Sequence, residues 1–133
     1  MGAMTVLGGL TLPGVQQSVG YARKFARDML GEDHPVLDDL RTCISECATN
    51  AINHTASGED GGRFRVNLAA GDRFVEGEVI DEGATATTPY VRGTQGDDRS
   101  EDGRGLLIVR ALASAWDVET VGAHTKVWFR LSW

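Results

Sequence analysis

The sequence predicts an α+β fold, a two-layer α/β sandwich in which helices cover one face of a mixed, mainly antiparallel sheet. Segments with strand-like and helix-like patterns follow one another in the order β-α-α-β-β-loop-α-β-β. Neighbouring strand segments are joined by short glycine-containing turns, which are typical of antiparallel hairpins. Because strands and helices must bury their apolar sides against each other, this order favours one sheet with the helices on a single face.

The composition is that of one globular domain. The chain has 133 residues, of which 41% are hydrophobic and 24% charged, so it is long enough for a core without disulfides or metals. No apolar run approaches the roughly 18 residues of a membrane span, and no secretory signal is recognisable, so we expect a cytoplasmic protein without a membrane partner. A net charge of −6 disfavours direct binding of nucleic acid. We interpret residues 1–4 as a tail and residues 5–133 as the domain.

The first half of the chain predicts an edge strand and two helices. Residues 5–12 alternate loosely and stop at Pro13-Gly14, as an edge strand does. Apolar residues then recur at helical spacing through residues 15–29, and Gly31 closes this helix. Pro35 starts a second helix, which is expected to run to about Thr55.

A hairpin and a long loop follow. Apolar residues alternate with polar ones through residues 63–70 and again through residues 73–80, and Gly71-Asp72 between them is a hairpin signal. Residues 82–102 contain no apolar periodicity. A structureless segment of this length inside a compact domain is more often a lid or a binding loop than filler.

The end of the chain predicts one helix and a second hairpin. Residues 105–115 are mostly apolar and helical in pattern. Residues 116–121 and 126–133 are strand-like, and the turn between them is placed at residues 122–124.

The second helix carries a polar stripe. Glu46, Asn50 and Asn53 fall within roughly 60° of one another at about 100° per residue, opposite the apolar side of the helix. An asparagine offers a neutral oxygen suited to Mg²⁺, and a glutamate can accept a proton or hold a metal-bound water. A solvated helix face would use the same residues, so this stripe alone leaves both interpretations open.

Two further segments carry possible ligand contacts. Asp81 ends a strand, where its carboxylate can accept a hydrogen bond from an exocyclic amine, and Gly83 lets a ligand approach the backbone. Gly103-Arg104-Gly105 precedes a helix, whose first N–H groups and the Arg104 guanidinium suit an anion. The alternative interpretations are that the first segment is an ordinary turn after a strand and that the second only marks the start of a helix.

Cys43 and Cys47 stand alone on a helix and are interpreted as reduced packing residues.

Taken in order, these segments resemble the three sequence boxes of the GHKL ATPase superfamily, which includes gyrase, Hsp90, histidine kinases and MutL. The boxes are Glu46-x-x-x-Asn50-Ala51, Asp81-x-Gly83 and Gly103-x-Gly105-Leu106. The short single-domain form is similar to the bacterial anti-sigma factor and serine-protein kinase branch. The resemblance covers nearly the whole chain from about residue 10.

The resemblance implies a Bergerat-type site for ATP and Mg²⁺, in a histidine-kinase-like ATPase domain. Asn50 would ligate the metal, Glu46 would be the general base and Asp81 would bind the adenine amine. Thr125 is the candidate for a hydroxyl near adenine, although the family more often has threonine where this chain has Lys126. The full set of implied nucleotide contacts is Asn50, Asn53, Asp81, Gly83, Gly103, Arg104, Gly105, Leu106 and Thr125.

Three functions are compatible with this resemblance. The first is an anti-sigma factor that phosphorylates a serine or threonine on a STAS-type anti-anti-sigma protein, with a sigma factor as its second partner. The second is a non-catalytic ATP-binding module that regulates by sequestering a protein. The third, an excised histidine-kinase domain, is disfavoured because the chain has no dimerisation helix with a phospho-acceptor histidine. A homodimer is left open.

Overall fold

The computed structural model describes residues 3–54, 61–82 and 101–133. These parts of the chain contain three helices and five strands, in the order expected from the sequence. In sequence order the elements are β1 (Thr5–Pro13), α1 (Gln17–Leu30), α2 (Leu37–His54), β2 (Arg63–Gly71), β3 (Phe74–Asp81), α3 (Glu101–Leu112), β4 (Ala115–Val121) and β5 (His124–Ser132). The predicted α+β class is confirmed. Within the described residues, no helix is both long and apolar enough to cross a membrane.

The five strands form one sheet in the spatial order β1-β2-β3-β5-β4. All four strand pairs described are antiparallel, so the sheet contains no parallel pair in this part of the chain, whereas a mixed sheet was expected. Strand β1 lies at one edge, as its loose alternation predicted. Strand β4 forms the other edge of the sheet. A short hairpin then leads the chain back from β4 to β5, which lies between β4 and β3.

The core lies between one face of the sheet and the helices. Alternate residues of β2, β3 and β5 are buried on this face, as the period of two requires. Helix α2 crosses their middle and contributes Leu40 and Ile44, both fully buried. Gly77 lets α2 approach closely, because a Cβ built there would lie 2.7 Å from Phe129 and 3.3 Å from Leu40.

The bounds of α3 and β5 differ from the sequence prediction. Helix α3 spans Glu101–Leu112 and not residues 105–115. Helix propensity is a weak prior that packing overrides, and α3 packs against α2, so the two glycines do not delay the start of the helix. Strand β5 begins at His124, because Val121 pairs with His124 across a two-residue turn that opens on Gly122, whose φ is 62°.

Candidate functional site

The polar stripe of α2 is graded in burial. Asn50 is 4% exposed, Glu46 one turn before it is half-buried, and Asn53 is exposed. The expectation of a stripe pointing uniformly outward is therefore wrong at Asn50. Asn50 lies nearly one helical turn after Cys47, which is also buried. The boundary between the apolar and polar sides of α2 therefore passes directly beside the Asn50 amide.

The Asn50 amide has an unpaired donor. Its Nδ2 atom is buried and has no hydrogen-bond partner among the described residues. Buried polar atoms in folded proteins are almost always paired, so such an atom calls for a ligand or an ordered water. Half a turn about the last side-chain bond exchanges the amide nitrogen and oxygen, so the same side chain can offer either atom to a bound group.

A buried acid and a buried hydroxyl lie side by side at the end of the sheet. Asp81 of β3 and Thr125 of β5 are partners in the strand register, and they are 1% and 3% exposed. Asp81 is the one fully buried acidic side chain of the described residues. An ionised carboxylate can accept several hydrogen bonds, so Asp81 can take a donor of a ligand in addition to its interactions within the protein.

The thiol of Cys47 on α2 is influenced by the charges of both carboxylates. Burial raises the pKa of the Cys47 thiol well above its usual value, and the neighbouring charges of Cys43, Glu46 and Asp81 raise it further. The thiol therefore lies within electrostatic reach of both Glu46 on α2 and Asp81 on β3. Helix α2 also packs against β3, the strand that Asp81 ends, so these two sequence boxes lie on elements in contact.

The third box is placed differently from the prediction. Residues Gly103 to Gly105 lie inside the first turns of α3, whereas the sequence placed them in a turn before the helix. Some of their N–H groups still belong to the unpaired first turn of a helix, so the anion site predicted there remains a proposal. Leu106 is buried, and α3 packs against α2.

Most of the predicted lid, residues 83–100, lies outside the described residues, and so does the predicted contact at Gly83.

The residue that precedes α1, Gln16, also borders the stripe, which sequence reasoning missed. Gln16 Nε2 donates a hydrogen bond of 3.5 Å to Asn53 Oδ1. The two residues are 37 positions apart, and no local pattern in the sequence connects them. The contact follows from the packing of α1 against α2, which also pairs Arg23 with Ser45 at 2.7 Å.

The side chains present fit Mg²⁺ only in combination with a phosphate ligand. Among the described residues, no group of three or more histidine, cysteine, aspartate or glutamate side chains could hold a metal ion. Mg²⁺ commonly binds through one or two protein oxygens together with substrate phosphates and waters. The unsatisfied atom of Asn50 is an N–H donor, so the amide oxygen is the atom of this side chain that could contribute to such a partial site.

Comparison with known proteins identifies the family. The profile of the histidine kinase-like ATPase domain family matches residues 12–131, and the chain therefore belongs to this family. It is similar to "Serine-protein kinase RsbW" of Oceanobacillus iheyensis, with 25% identity over 114 residues that cover 77% of this chain and 72% of the relative. The protein of the same name from Bacillus pumilus is 28% identical over 120 residues, which cover 83% of this chain and 67% of the relative. The resemblance drawn from the three boxes is confirmed.

A solved structure supports the fold. The crystal structure of the RsbU and RsbW domains of Rv1364c from Mycobacterium tuberculosis matches 94% of this chain with a TM-score of 0.67 and 21% identity. Our chain spans 32% of that longer chain. At this identity the match shows the fold alone.

Proposed function

We propose that the protein is an ATP-binding bacterial anti-sigma factor that phosphorylates a serine or threonine on a STAS-type anti-anti-sigma protein. Membership of the ATPase family and similarity to relatives named serine-protein kinase support this proposal. The observation that carries it is the burial of Asp81 beside Thr125 at the end of two central strands. A sigma factor is the second proposed partner.

Asp81 accounts for a choice of adenine over guanine. A buried carboxylate accepts hydrogen bonds, and the exocyclic amine of adenine donates them. Guanine has a carbonyl oxygen at the corresponding position, and a carboxylate would repel it. We therefore propose that Asp81 binds the adenine amine and that the Thr125 hydroxyl contacts the base or a water beside it.

Asn50 and Glu46 account for the phosphate end of the site. In the proposal Asn50 contributes one oxygen to Mg²⁺, which neutralises phosphate charge when it is bound with ATP. Glu46 lies one helical turn before Asn50 and is half-buried, so its carboxylate can accept the proton of a hydroxyl that attacks the γ-phosphate. The remaining proposed phosphate contacts are Gly103, Arg104 and Gly105, with Asn53, Gly83 and Leu106 bordering the nucleotide.

A phosphoryl-transfer assay tests the proposal. The protein is incubated with labelled ATP, Mg²⁺ and STAS-domain proteins of the same organism, and label on the STAS protein is measured. Glu46→Gln is expected to bind ATP as the wild type does, but to transfer phosphate roughly 100-fold more slowly or worse. Glu32→Gln, at an exposed acid outside the site, is the matched control and should transfer normally.

The outcomes separate the two functions left open by the sequence. Transfer at the wild-type rate by Glu46→Gln would remove Glu46 from the role of base. Tight ATP binding by the wild type without transfer to any STAS protein would favour the module that sequesters its partner. Absence of ATP binding would contradict both.

A further inference from the structure

A cavity lies on the face of the sheet that the helices do not cover, opposite the candidate nucleotide site. It has a volume of about 290 Å³ at the end of β2, β3 and β5. Phe64 and Asp81 border it, but their side chains are buried on the helix-covered face, so their main chain forms its floor. The side chains that line it are Thr11, Arg63, Arg65, Ile80, Glu82 and His124.

One arginine of this cavity is fixed in place. Arg65 Nε donates to Asn67 Oδ1 and Arg65 Nη1 donates to Thr11 Oγ1, each at 2.9 Å. Its guanidinium lies against Gly9, where a side chain would collide with it. A guanidinium held in this way has lost its conformational freedom before any ligand arrives, which lowers the entropic cost of binding.

The other arginine of the cavity, Arg63, is bound through its main chain. Arg63 donates its backbone N–H to Glu82 Oε1 at 3.1 Å. Its guanidinium makes no hydrogen bond or ion pair to any part of the chain that the structure describes. Arg63 and Arg65 both belong to β2 and point to the same face, two residues apart. Among the described side chains that line the cavity there are therefore two arginines and one carboxylate, in a chain whose net charge is −6.

His124 lines the other side of the cavity, and a hydrogen bond defines which ring nitrogen is the donor. His124 Nδ1 lies 3.0 Å from the backbone oxygen of Asp81. A carbonyl oxygen can only accept, so Nδ1 carries the proton and Nε2 of the neutral ring is left as an acceptor. A ligand hydroxyl is the group that such an acceptor would bind.

We propose that this cavity binds a small organic monocarboxylate that also carries a hydroxyl group. The fork of the Arg63 guanidinium matches the two oxygens of a carboxylate. Glu82 at the rim repels a second negative charge, which disfavours a phosphate dianion or a dicarboxylate. Ile80 gives the aliphatic part of the ligand an apolar contact, and His124 accepts from the hydroxyl.

This site is separate from the proposed nucleotide site. Side chains alternate along a strand, so Asp81 and Thr125 point to the helix-covered face while Ile80 and His124 belong to the other. Both sites can therefore be occupied together, and the carboxylate site does not depend on ATP binding.

Amide chemical shifts in the full-length protein test the proposal. Addition of 3-hydroxybutyrate is expected to shift the amide signals of Arg63, Glu82 and His124 in a saturable manner, with or without ATP. Arg63→Gln should weaken this binding roughly tenfold or more, since it removes a charge-assisted pair. Arg110→Gln, at an exposed arginine of α3, is the matched control and should bind normally.

Inorganic phosphate and butyrate serve as comparison ligands. Both should bind more weakly than 3-hydroxybutyrate, phosphate because of Glu82 and butyrate because it has no hydroxyl. The proposal is overturned if no saturable shift occurs at these residues, if Arg63→Gln binds as the wild type does, or if phosphate binds as tightly.

Discussion

Asp81 and Thr125 are opposite each other at the end of two central antiparallel strands, and both side chains are buried under the helices. The backbone oxygen of the same Asp81 accepts a hydrogen bond from His124 on the other face of the sheet. The paired ends of β3 and β5 therefore carry polar groups on both faces of the sheet, one face for each proposed site. The side-chain alternation of a β-strand makes this separation possible within two residues.

The first prediction concerns nucleotide selectivity. Asp81→Asn replaces a carboxylate by an amide that can donate as well as accept, so it should weaken ATP binding roughly tenfold or more and reduce the preference for ATP over GTP. Calorimetry with both nucleotides measures the two affinities. Asp117→Asn, at an exposed acid of β4, should change neither. An unchanged ratio of ATP to GTP affinity in Asp81→Asn would rule out a contact to the adenine amine.

The second prediction separates metal binding from stability. Asn50→Ala should abolish the difference in ATP affinity between buffers with Mg²⁺ and with a chelator, because the proposed metal ligand is gone. Asn53→Ala should have a smaller effect, since Asn53 is exposed. Calorimetry in both buffers measures the difference for each variant.

The Asn50→Ala substitution should not destabilise the nucleotide-free protein. The Asn50 Nδ2 atom is buried with no hydrogen-bond partner among the described residues, so its removal eliminates an unsatisfied donor. The melting temperature of Asn50→Ala should therefore equal or exceed that of the wild type. A large decrease would show that the amide has a structural partner.

The sequence predicted the parts of the fold and the site that depend on local pattern. The order of elements, the hairpin of β2 and β3, and the stripe from Glu46 to Asn53 all follow from periodicity within one segment. The start of α3 was missed because two glycines near residue 104 resembled a helix boundary more than a helix interior. Propensity alone does not decide such a boundary, because the packing of α3 against α2 overrides it.

The parts that could not be predicted depend on register and packing. Arg63, Glu82 and His124 meet only because β2, β3 and β5 pair in one particular register, which a single sequence does not reveal. The burial of Asn50 likewise depends on how deeply α2 lies on the sheet. Both features required the three-dimensional arrangement.

The third prediction concerns the two cysteines of α2. Both thiols are free and buried, and burial together with the charges of Asp39 and Glu46 raises the pKa of Cys43 to about 12. The thiolate is the reactive form, so iodoacetamide at a mildly alkaline pH should modify neither thiol in the native protein and both after unfolding. Mass spectrometry counts the adducts. Rapid modification of the native protein would contradict the burial of α2.

The last prediction concerns stability at acidic pH. His34 Nδ1 accepts the backbone N–H of Val36 at 3.2 Å, at the start of α2, and its ring packs edge-on against Trp133 with 4.5 Å between centroids. Burial lowers the pKa of His34 below its usual value of 6.5. Protonation would also remove the lone pair that accepts from Val36.

The sign of the effect follows from proton linkage. As the pH falls below about 6.5, the unfolded chain binds a proton at His34 before the folded chain does, so the free energy of unfolding decreases until the pH has passed through the lowered pKa. His34→Asn can still accept from Val36 N–H, because an asparagine oxygen commonly binds the N–H two residues ahead, but it does not titrate. Urea unfolding at a series of pH values should therefore give a flatter profile below pH 6.5 for His34→Asn than for the wild type, and similar stability at neutral pH. Parallel profiles for the two proteins would show that the acid-dependent loss of stability arises at other groups.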